Sequence, residues 1–189
     1  EYLSHHGEMP VPPYIRRKSG DPRLAMDRTR YQTVYAREEG SVAAPTAGLH
    51  FTPELLDRLK SVGVVVARIT LSVGPATFMS LDDLEGDRDS LPPENYSIPP
   101  ETAELLHRAR CEHRRVVAVG TTVVRALESS SSNGWTGLTI RPGYPFRVVD
   151  AMVTNFHLPR SSLLLLVSAF AGRERVLSAY QNAIARGFR

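Results

Sequence analysis

Several stretches of this chain carry side chains whose types and spacing could do chemistry. The first, Gly40 to Thr52, reads Gly-Ser-Val-Ala-Ala-Pro-Thr-Ala-Gly-Leu-His-Phe-Thr. Its small residues let backbone N–H and C=O groups approach a bound molecule closely, so it reads as a loop that brings His50 to a site, with Thr46 and Gly48 at the ligand. A tight connection, with His50 an ordinary surface or core residue, is the alternative. The second is Gly120-Thr121-Thr122, a turn from an apolar strand into a helix. Free N–H groups and the positive end of a helix dipole meet there, which suits a carboxylate or phosphate, although many such turns only cap a helix. On that helix Thr122, Arg125 and Glu128 recur at i, i+3 and i+6 on one face, and Arg125 with Glu128 could simply be an intrahelical ion pair. The third, Thr154-Asn155-Phe156-His157-Leu158-Pro159-Arg160-Ser161, repeats the logic of the first: a strand end, a polar loop holding His157 and Asn155, then a helix start.

These loops need elements to hold them. Thr52 offers an N-cap oxygen, Pro53 suits a first helical position, and Leu55, Leu56, Leu59 and Val62 give the apolar stripe of a helix that Gly63 stops. Val64 to Val73 predicts a long buried strand. Pro99-Pro100-Glu101 opens a helix with Ala103, Leu105, Leu106 and Ala109, and basic residues gather toward its end as the helix dipole prefers. Arg115 to Val119 predicts a strand, and Leu138 to Ile140 and the region of Val148, Val149 and Val153 predict two more. Leu163 to Ala171 predicts a buried helix broken by Gly172, and Val176, Leu177, Tyr180 and Ile184 stripe a last one. Tyr31 to Ala36 alternates as a β-type segment. Asp82 to Pro93 and Ser129 to Gly134 read as exposed loops. Such alternation predicts an α/β fold with a mostly parallel sheet flanked by helices, its ligands at the carboxyl ends of the strands. Residues 1–38 form an extended basic and aromatic lead-in to the same domain, and residues 39–189 the α/β ligand-binding and catalytic part.

Composition narrows the classes. With 189 residues, 42% hydrophobic and 23% charged, the chain can bury a sizeable core. A net charge of +3 and a pI near 9.2 admit an acidic partner such as nucleic acid without demanding one. Arg16, Arg17 and Lys18, with Arg23, Arg28 and Arg30, precede Tyr31 and Tyr35, a pattern that fits either a solvated face or a phosphate-backbone patch with aromatics for base stacking. Cys111 is the only cysteine, so an intramolecular disulfide is excluded and a reducing cytoplasm is the simplest location. No secretory core opens residues 1–7, and the longest apolar run, Leu163 to Ala171, is about half of a bilayer crossing. No metal is expected: His5 and His6 are adjacent in an irregular segment, and no two-histidine helix motif occurs. No Gly-x-Gly-x-x-Gly follows a predicted strand, which disfavours a dinucleotide-binding enzyme. The proline-stiffened start, Met9 to Ile15, leads to the expectation that something precedes Glu1.

Taken together the sequence resembles the S-adenosylmethionine:tRNA ribosyltransferase-isomerases of queuosine biosynthesis. The resemblance rests on Pro12-Pro13-Tyr14-Ile15, Tyr31 to Ala36, Gly40 to Thr52, Gly120-Thr121-Thr122 with Arg125 and Leu127-Glu128, Pro142-Gly143-Tyr144, and Thr154 to Pro159 with Ser161. It implies a cytoplasmic enzyme, acting as a monomer, that moves and isomerises the ribosyl part of S-adenosylmethionine, a co-substrate, onto 7-aminomethyl-7-deazaguanine at the tRNA wobble position. Epoxyqueuosine-tRNA, adenine and methionine would be the products. His50 and His157 are then candidates for proton transfer. Glu128 with Asn155 would orient ribose hydroxyls or the aminomethyl group. Gly120, Thr121, Thr122 and Arg125 would join Thr46 and Gly48 in holding substrate. Arg16, Arg17, Lys18, Tyr31 and Arg160 are the expected RNA contacts.

Departures from the family pattern give a second expectation. Leu71-Ser72-Val73-Gly74 stands where the family has Leu-His-Val-Gly, and Pro75-Ala76-Thr77-Phe78 replaces a Gly-Thr-Phe pattern. The chain corresponds to the family's larger domain, with its N-terminal portion, the small inserted β-barrel and the Tyr-Gly-Asp-type carboxyl-terminal segment expected to be absent. A truncated, non-catalytic RNA-binding relative is the alternative these departures favour.

Overall fold

Local capping chemistry sets where the helices begin in the computed structural model, which describes residues 7, 9, 11, 15–18, 20–38, 40–74, 91–129 and 133–188. Helix α1 spans Leu24–Arg30 and a 3-10 turn spans Thr46–His50. Thr52 accepts the Leu55 N–H at 3.2 Å and caps helix α2, Pro53–Ser61, with proline in its first turn as expected. Helix α3 is Pro100–Cys111 and α4 is Thr121–Glu128. Ser161 caps α5, Ser162–Ala171, through the Leu164 N–H at 3.2 Å. Gly172, at φ 86°, then turns the chain into α6, Arg173–Ala185. Residues 1–6, Pro12, Pro13, Tyr14, residues 75–90 and Ser130 to Ser132 lie outside the described residues, and with them the adjacent His5 and His6, Thr77, Phe78 and most of the acidic segment.

The sheets correct the expected architecture. Strands β1 (Thr70–Ser72), β2 (Glu94–Ser97) and β4 (Asn133–Thr136) form an antiparallel sheet in the order β1-β2-β4, with Leu71 opposite Tyr96 and Asn95 opposite Trp135. Strands β3 (Val117–Val119) and β5 (Ala151–Val153) form a separate parallel pair, with Ala118 opposite Met152. The fold is α/β, but a mostly parallel sheet is not what forms: among the described residues, parallel pairing is confined to β3 and β5. The missed strands are polar on one side. In β2, Glu94 and Tyr96 are buried while Ser97 is exposed, the alternation of a sheet with one wet face.

Several expected strands give their backbone groups to side chains instead of ladders. The Thr33 N–H donates to the Gln32 Oε1 at 2.9 Å and the Ala36 N–H turns back to Thr33 O, so Tyr31 to Ala36 is a turn. Leu138 O accepts the Arg125 Nε–H and the Leu138 N–H donates to the Thr136 hydroxyl, which takes Leu138 to Ile140 out of any sheet. The N–H groups of Val148 and Val149 both donate to the Glu128 carboxylate. Of Val64 to Val73, only Thr70–Ser72 joins a strand ladder; Val64 and Val65 are 46% and 47% exposed, where the sequence predicts a buried strand.

Helix α4 is the centre of the core. Val124 and Ala126 are completely buried, and Leu127, Tyr96, Ile98, Ala118, Ile140, Val149 and Leu166 surround them. The same helix carries a charge inward. Arg125 Nη1 donates to Glu94 Oε2 at 2.7 Å, with both side chains only 5% exposed. Its Nε and Nη2 donate to the carbonyls of Leu138 at 3.0 Å and Thr136 at 3.3 Å. Burial pushes the Arg125 guanidinium below its ordinary value, and Glu94 opposes that shift. The pair therefore joins α4 to β2 and to the end of β4.

Removing one partner of such a pair strands the other charge in the core. Glu94→Ala should cost about 3–5 kcal/mol in a urea unfolding experiment. The double variant Glu94→Leu with Arg125→Met should lose less than the sum of the two single losses.

Candidate active site

Parallel pairing of β3 with β5 brings two distant polar turns side by side. The Gly120 N–H donates to Val153 O at 2.9 Å, so Gly120-Thr121-Thr122 lies directly beside Thr154-Asn155-Phe156-His157. Gly120 has φ 104° and ψ 143°, a conformation other residues rarely adopt, and it has no side chain with which to cap α4. First-turn N–H groups of α4 are thus left without a side-chain cap at the edge of the two strands. Thr121 is buried and Thr122 half-buried.

The 3-10 turn closes the arrangement. His50 Nε2 lies 2.8 Å from Asn155 Oδ1, a bond spanning 105 positions of sequence. With an amide oxygen as its partner, Nε2 is the donor, and in the neutral imidazole Nδ1 then keeps the lone pair that a proton acceptor needs. Tight packing supports the turn. Ala47 and Gly48 are buried, and a Cβ at Gly48 would overlap the Tyr35 hydroxyl and come within 2.7 Å of Thr33 Cγ2. Gly48 is therefore where the 31–36 turn lies on the loop, and burial pushes the Tyr35 hydroxyl upward in pKa. Ser41 fastens the start of the loop to β1: its hydroxyl donates to Leu71 O at 2.9 Å and accepts the Val73 N–H at 3.0 Å. Ser72, the departure from the family pattern, is exposed between those two residues.

His157 is held from both sides. Its Nε2 lies 3.0 Å from the Thr154 hydroxyl, and its backbone N–H donates to Tyr180 Oη on α6 at 2.7 Å. Burial lowers its pKa from 6.5 to about 4, so it is a neutral imidazole at pH 7.

The structure thus joins His50 directly to Asn155, ties the Gly120-Thr121-Thr122 turn to the end of β5 from which the segment holding Asn155 and His157 runs on, and places Thr46 and Gly48 in the 3-10 turn that carries His50. It does not bring Arg125 and Glu128 to the same place. Arg125 is in the core, and its anionic partner is Glu94, not Glu128. Glu128 accepts the N–H groups of Arg147 at 2.9 Å and of Val148 and Val149 at 3.0 Å. It also stands about 10 Å along the helix from Thr121. A cavity of about 320 Å³ borders Glu128, Ser129, Trp135 and Leu138, and none of the site residues assembled around His50 lines it.

Of the expected RNA contacts, Arg16, Lys18 and Arg160 are exposed, and Tyr31 is half-buried. Arg160 sits at φ 56°, a left-handed position for a residue with a side chain. Arg17 is half-buried and forks onto Asp27, with Nε–Oδ2 at 2.6 Å and Nη2–Oδ1 at 2.8 Å. Sequence reasoning places Tyr180 in a core stripe and gives Thr154 no role of its own. A tyrosine on a helix stripe is the available signal, since its hydroxyl needs a partner when it packs inward. Among the described residues, no group of three or more His, Cys, Asp or Glu could hold a metal ion, and no helix is long and apolar enough to cross a membrane.

Comparison with known proteins adds an independent line. A family model described as "Queuosine biosynthesis protein" matches residues 1–189. An S-adenosylmethionine:tRNA ribosyltransferase-isomerase of Thermus thermophilus is 56% identical over 196 aligned positions, covering 100% of this chain and 54% of that protein. The protein of the same name from Moorella thermoacetica is 51% identical, covering 99% of this chain and 55% of its own length. The crystal structure of an S-adenosylmethionine tRNA ribosyltransferase from Thermotoga maritima is similar at a TM-score of 0.60 and 43% identity, over 74% of this chain and 46% of that one. The chain spans about half the length of the curated relatives it matches.

The pKa of His157 makes a stability prediction with a definite sign. Its folded value lies below its unfolded one, so the folded state resists the proton and its contribution is complete above pH 6.5. That contribution is lost as pH falls toward 4. Between pH 7 and 4.5 the wild type should lose about 1–3 kcal/mol more than His157→Gln, measured from urea midpoints at both pH values.

Proposed function

The chain belongs to the queuosine biosynthesis protein family, and from that premise we propose that it carries the reaction centre of an S-adenosylmethionine:tRNA ribosyltransferase-isomerase. The substrates would be S-adenosylmethionine and tRNA bearing 7-aminomethyl-7-deazaguanine at the wobble position, and the products epoxyqueuosine-tRNA, adenine and methionine. The observation that carries this reading is the His50–Asn155 hydrogen bond at the carboxyl ends of the parallel strands, beside the uncapped start of α4. We place the activity in the cytoplasm and in a single chain.

Each residue has a task that its environment suits. A sulfonium acidifies the adjacent ribose C5′ protons, and His50, oriented through Nε2 by Asn155, accepts one of them on Nδ1. His157 is neutral at working pH and bonded to Thr154, so it offers the departing adenine a hydrogen bond instead of an imidazolium proton. The N–H groups of Thr121 and Thr122 face negative charge at the start of α4, whether from the methionine carboxylate, a tRNA phosphate or the sugar oxygen. Thr46, which begins the 3-10 turn, and the Asn155 amide NH₂ are assigned to the ribose hydroxyls. Glu128 and Arg125 act from behind, Glu128 by fixing the 147–149 backbone ahead of β5 and Arg125 by fixing α4. Arg16, Lys18 and Arg160, with Tyr31, meet the RNA, and Arg17 contributes by bracing α1 through Asp27.

Ser72 favours a second reading, an RNA-binding relative without chemistry, because a hydroxyl replaces an imidazole next to the loop. Adenine release from S-adenosylmethionine, together with transfer of ribose label to the modified tRNA, separates the two. His50→Ala should lower turnover about a hundredfold or more. Full turnover in both His50→Ala and His157→Ala would remove the assigned roles. Binding of tRNA with no release, by this chain and by the chain joined to the remaining length of its relatives, would establish the second reading.

A further inference from the structure

Phe156 lies between the two residues that define the site, yet its ring is not part of the core: 47% of its surface is exposed. Most large aromatic rings in a folded chain are buried, and one left open beside a cluster of polar groups is suited to contact a flat ligand. The ring is also held in place. It packs edge-to-face on Tyr180, with centroids 5.0 Å apart and planes at 82°. Tyr180 serves the next residue as well, because its hydroxyl oxygen accepts the His157 N–H at 2.7 Å. One side chain of α6 therefore fixes both the exposed ring and the backbone of the neighbouring imidazole. Leu158, 60% exposed, extends the apolar surface beyond them.

We propose that Phe156 is a stacking platform for a purine ring of the substrate, and that Tyr180 is the positioning residue that ties this platform to His157. The proposal rests on the functional reading above, which supplies the ligand class. A phenyl face binds any flat base by stacking, and the polar groups beside it, Asn155 and His157, supply the edge contacts. The purine could be the adenine of S-adenosylmethionine or the deazapurine of the RNA, and the test separates them.

Trp135 is the only tryptophan, so Trp135→Phe combined with Phe156→Trp places a single indole at the platform. Stacking by adenine predicts quenching of its emission by S-adenosylmethionine and none by methionine. Stacking by the RNA base predicts quenching by tRNA carrying the aminomethyl-deazaguanine and none by S-adenosylmethionine. In the otherwise natural chain, Phe156→Leu should weaken binding of the quenching ligand about ten- to a hundredfold, and Phe156→Tyr should stay within about threefold. Tyr180→Phe keeps the ring and should keep that affinity while lowering turnover; Tyr180→Leu should lose both, a division that mere loss of stability would not produce. Wild-type affinity in Phe156→Leu for both ligands overturns the platform and leaves the functional reading standing. A natural chain that binds neither ligand overturns the functional reading itself.

Discussion

A guanidinium in a protein interior has to be answered on every side, and in this fold the answer to Arg125 determines where much else can go. Its donors reach Glu94 on β2 and the carbonyls of Thr136 and Leu138 at and beyond the end of β4. Those bonds fix helix α4 against the antiparallel sheet, in rotation and in height, more narrowly than the surrounding valines and leucines could. Apolar packing tolerates small slides; a hydrogen-bonded charge in a low-dielectric core does not. The two ends of the helix then fall into place. Its start is the Gly120 turn, and its last residue, Glu128, gathers the backbone of residues 147–149 that leads into β5. Both strands of the parallel pair are in this way attached to one helix, β3 at its beginning and β5 through its end.

That attachment explains why a cluster can form from pieces so far apart in sequence. A two-stranded parallel pair has little cohesion of its own. Here β3 and β5 are aligned by register, by the Gly120 to Val153 hydrogen bond, and by Asp150, whose carboxylate accepts the Val116 N–H at 2.8 Å. With the strand ends level, the turns at 120–122 and 154–157 are neighbours, and the 3-10 turn needs only the His50–Asn155 contact to join them. Ser41 and Gly48 hold the two parts of that loop, one to β1 and the other under Tyr35.

How much of this is legible in the sequence depends on whether a residue's partner is local. Thr52 with Pro53 and Gly172 are local signals, and the helices they bound are found where the sequence puts them. The glycine turn before α4 is equally readable. Glu94 is not, because a carboxylate in a polar tetrapeptide looks like loop until the arginine it meets, 31 positions later, is known to point inward. The same blindness makes Arg125 and Glu128 look like neighbours on an outer face, since helical spacing gives an angle but no knowledge of which direction is inside. The apolar runs at Leu138 and Val148 read as strands because hydrophobicity reports burial. It does not report whether the backbone bonds go to a ladder or, as here, to Arg125 and Glu128. His50, Asn155 and His157 are visible as types in suitable loops, but the residues that hold His157, Thr154 and Tyr180, require the three-dimensional neighbourhood.

The two imidazoles of the cluster illustrate how one site can divide proton chemistry by environment alone. His157 sits among packed atoms with a threonine hydroxyl, not a carboxylate, on its Nε2, so desolvation is the cause of its lowered pKa and the neutral form is favoured. His50 lies at the exposed edge, and its orientation comes from an amide that bonds one nitrogen and leaves the other open. A site with one imidazole kept neutral by burial and a second oriented by an amide can give its two imidazoles different tasks. In the proposed reaction those tasks are the C5′ proton, which His50 accepts on Nδ1, and the departing adenine, whose ring nitrogen gains electron density as the bond to the sugar breaks and needs the hydrogen-bond donor that His157 supplies.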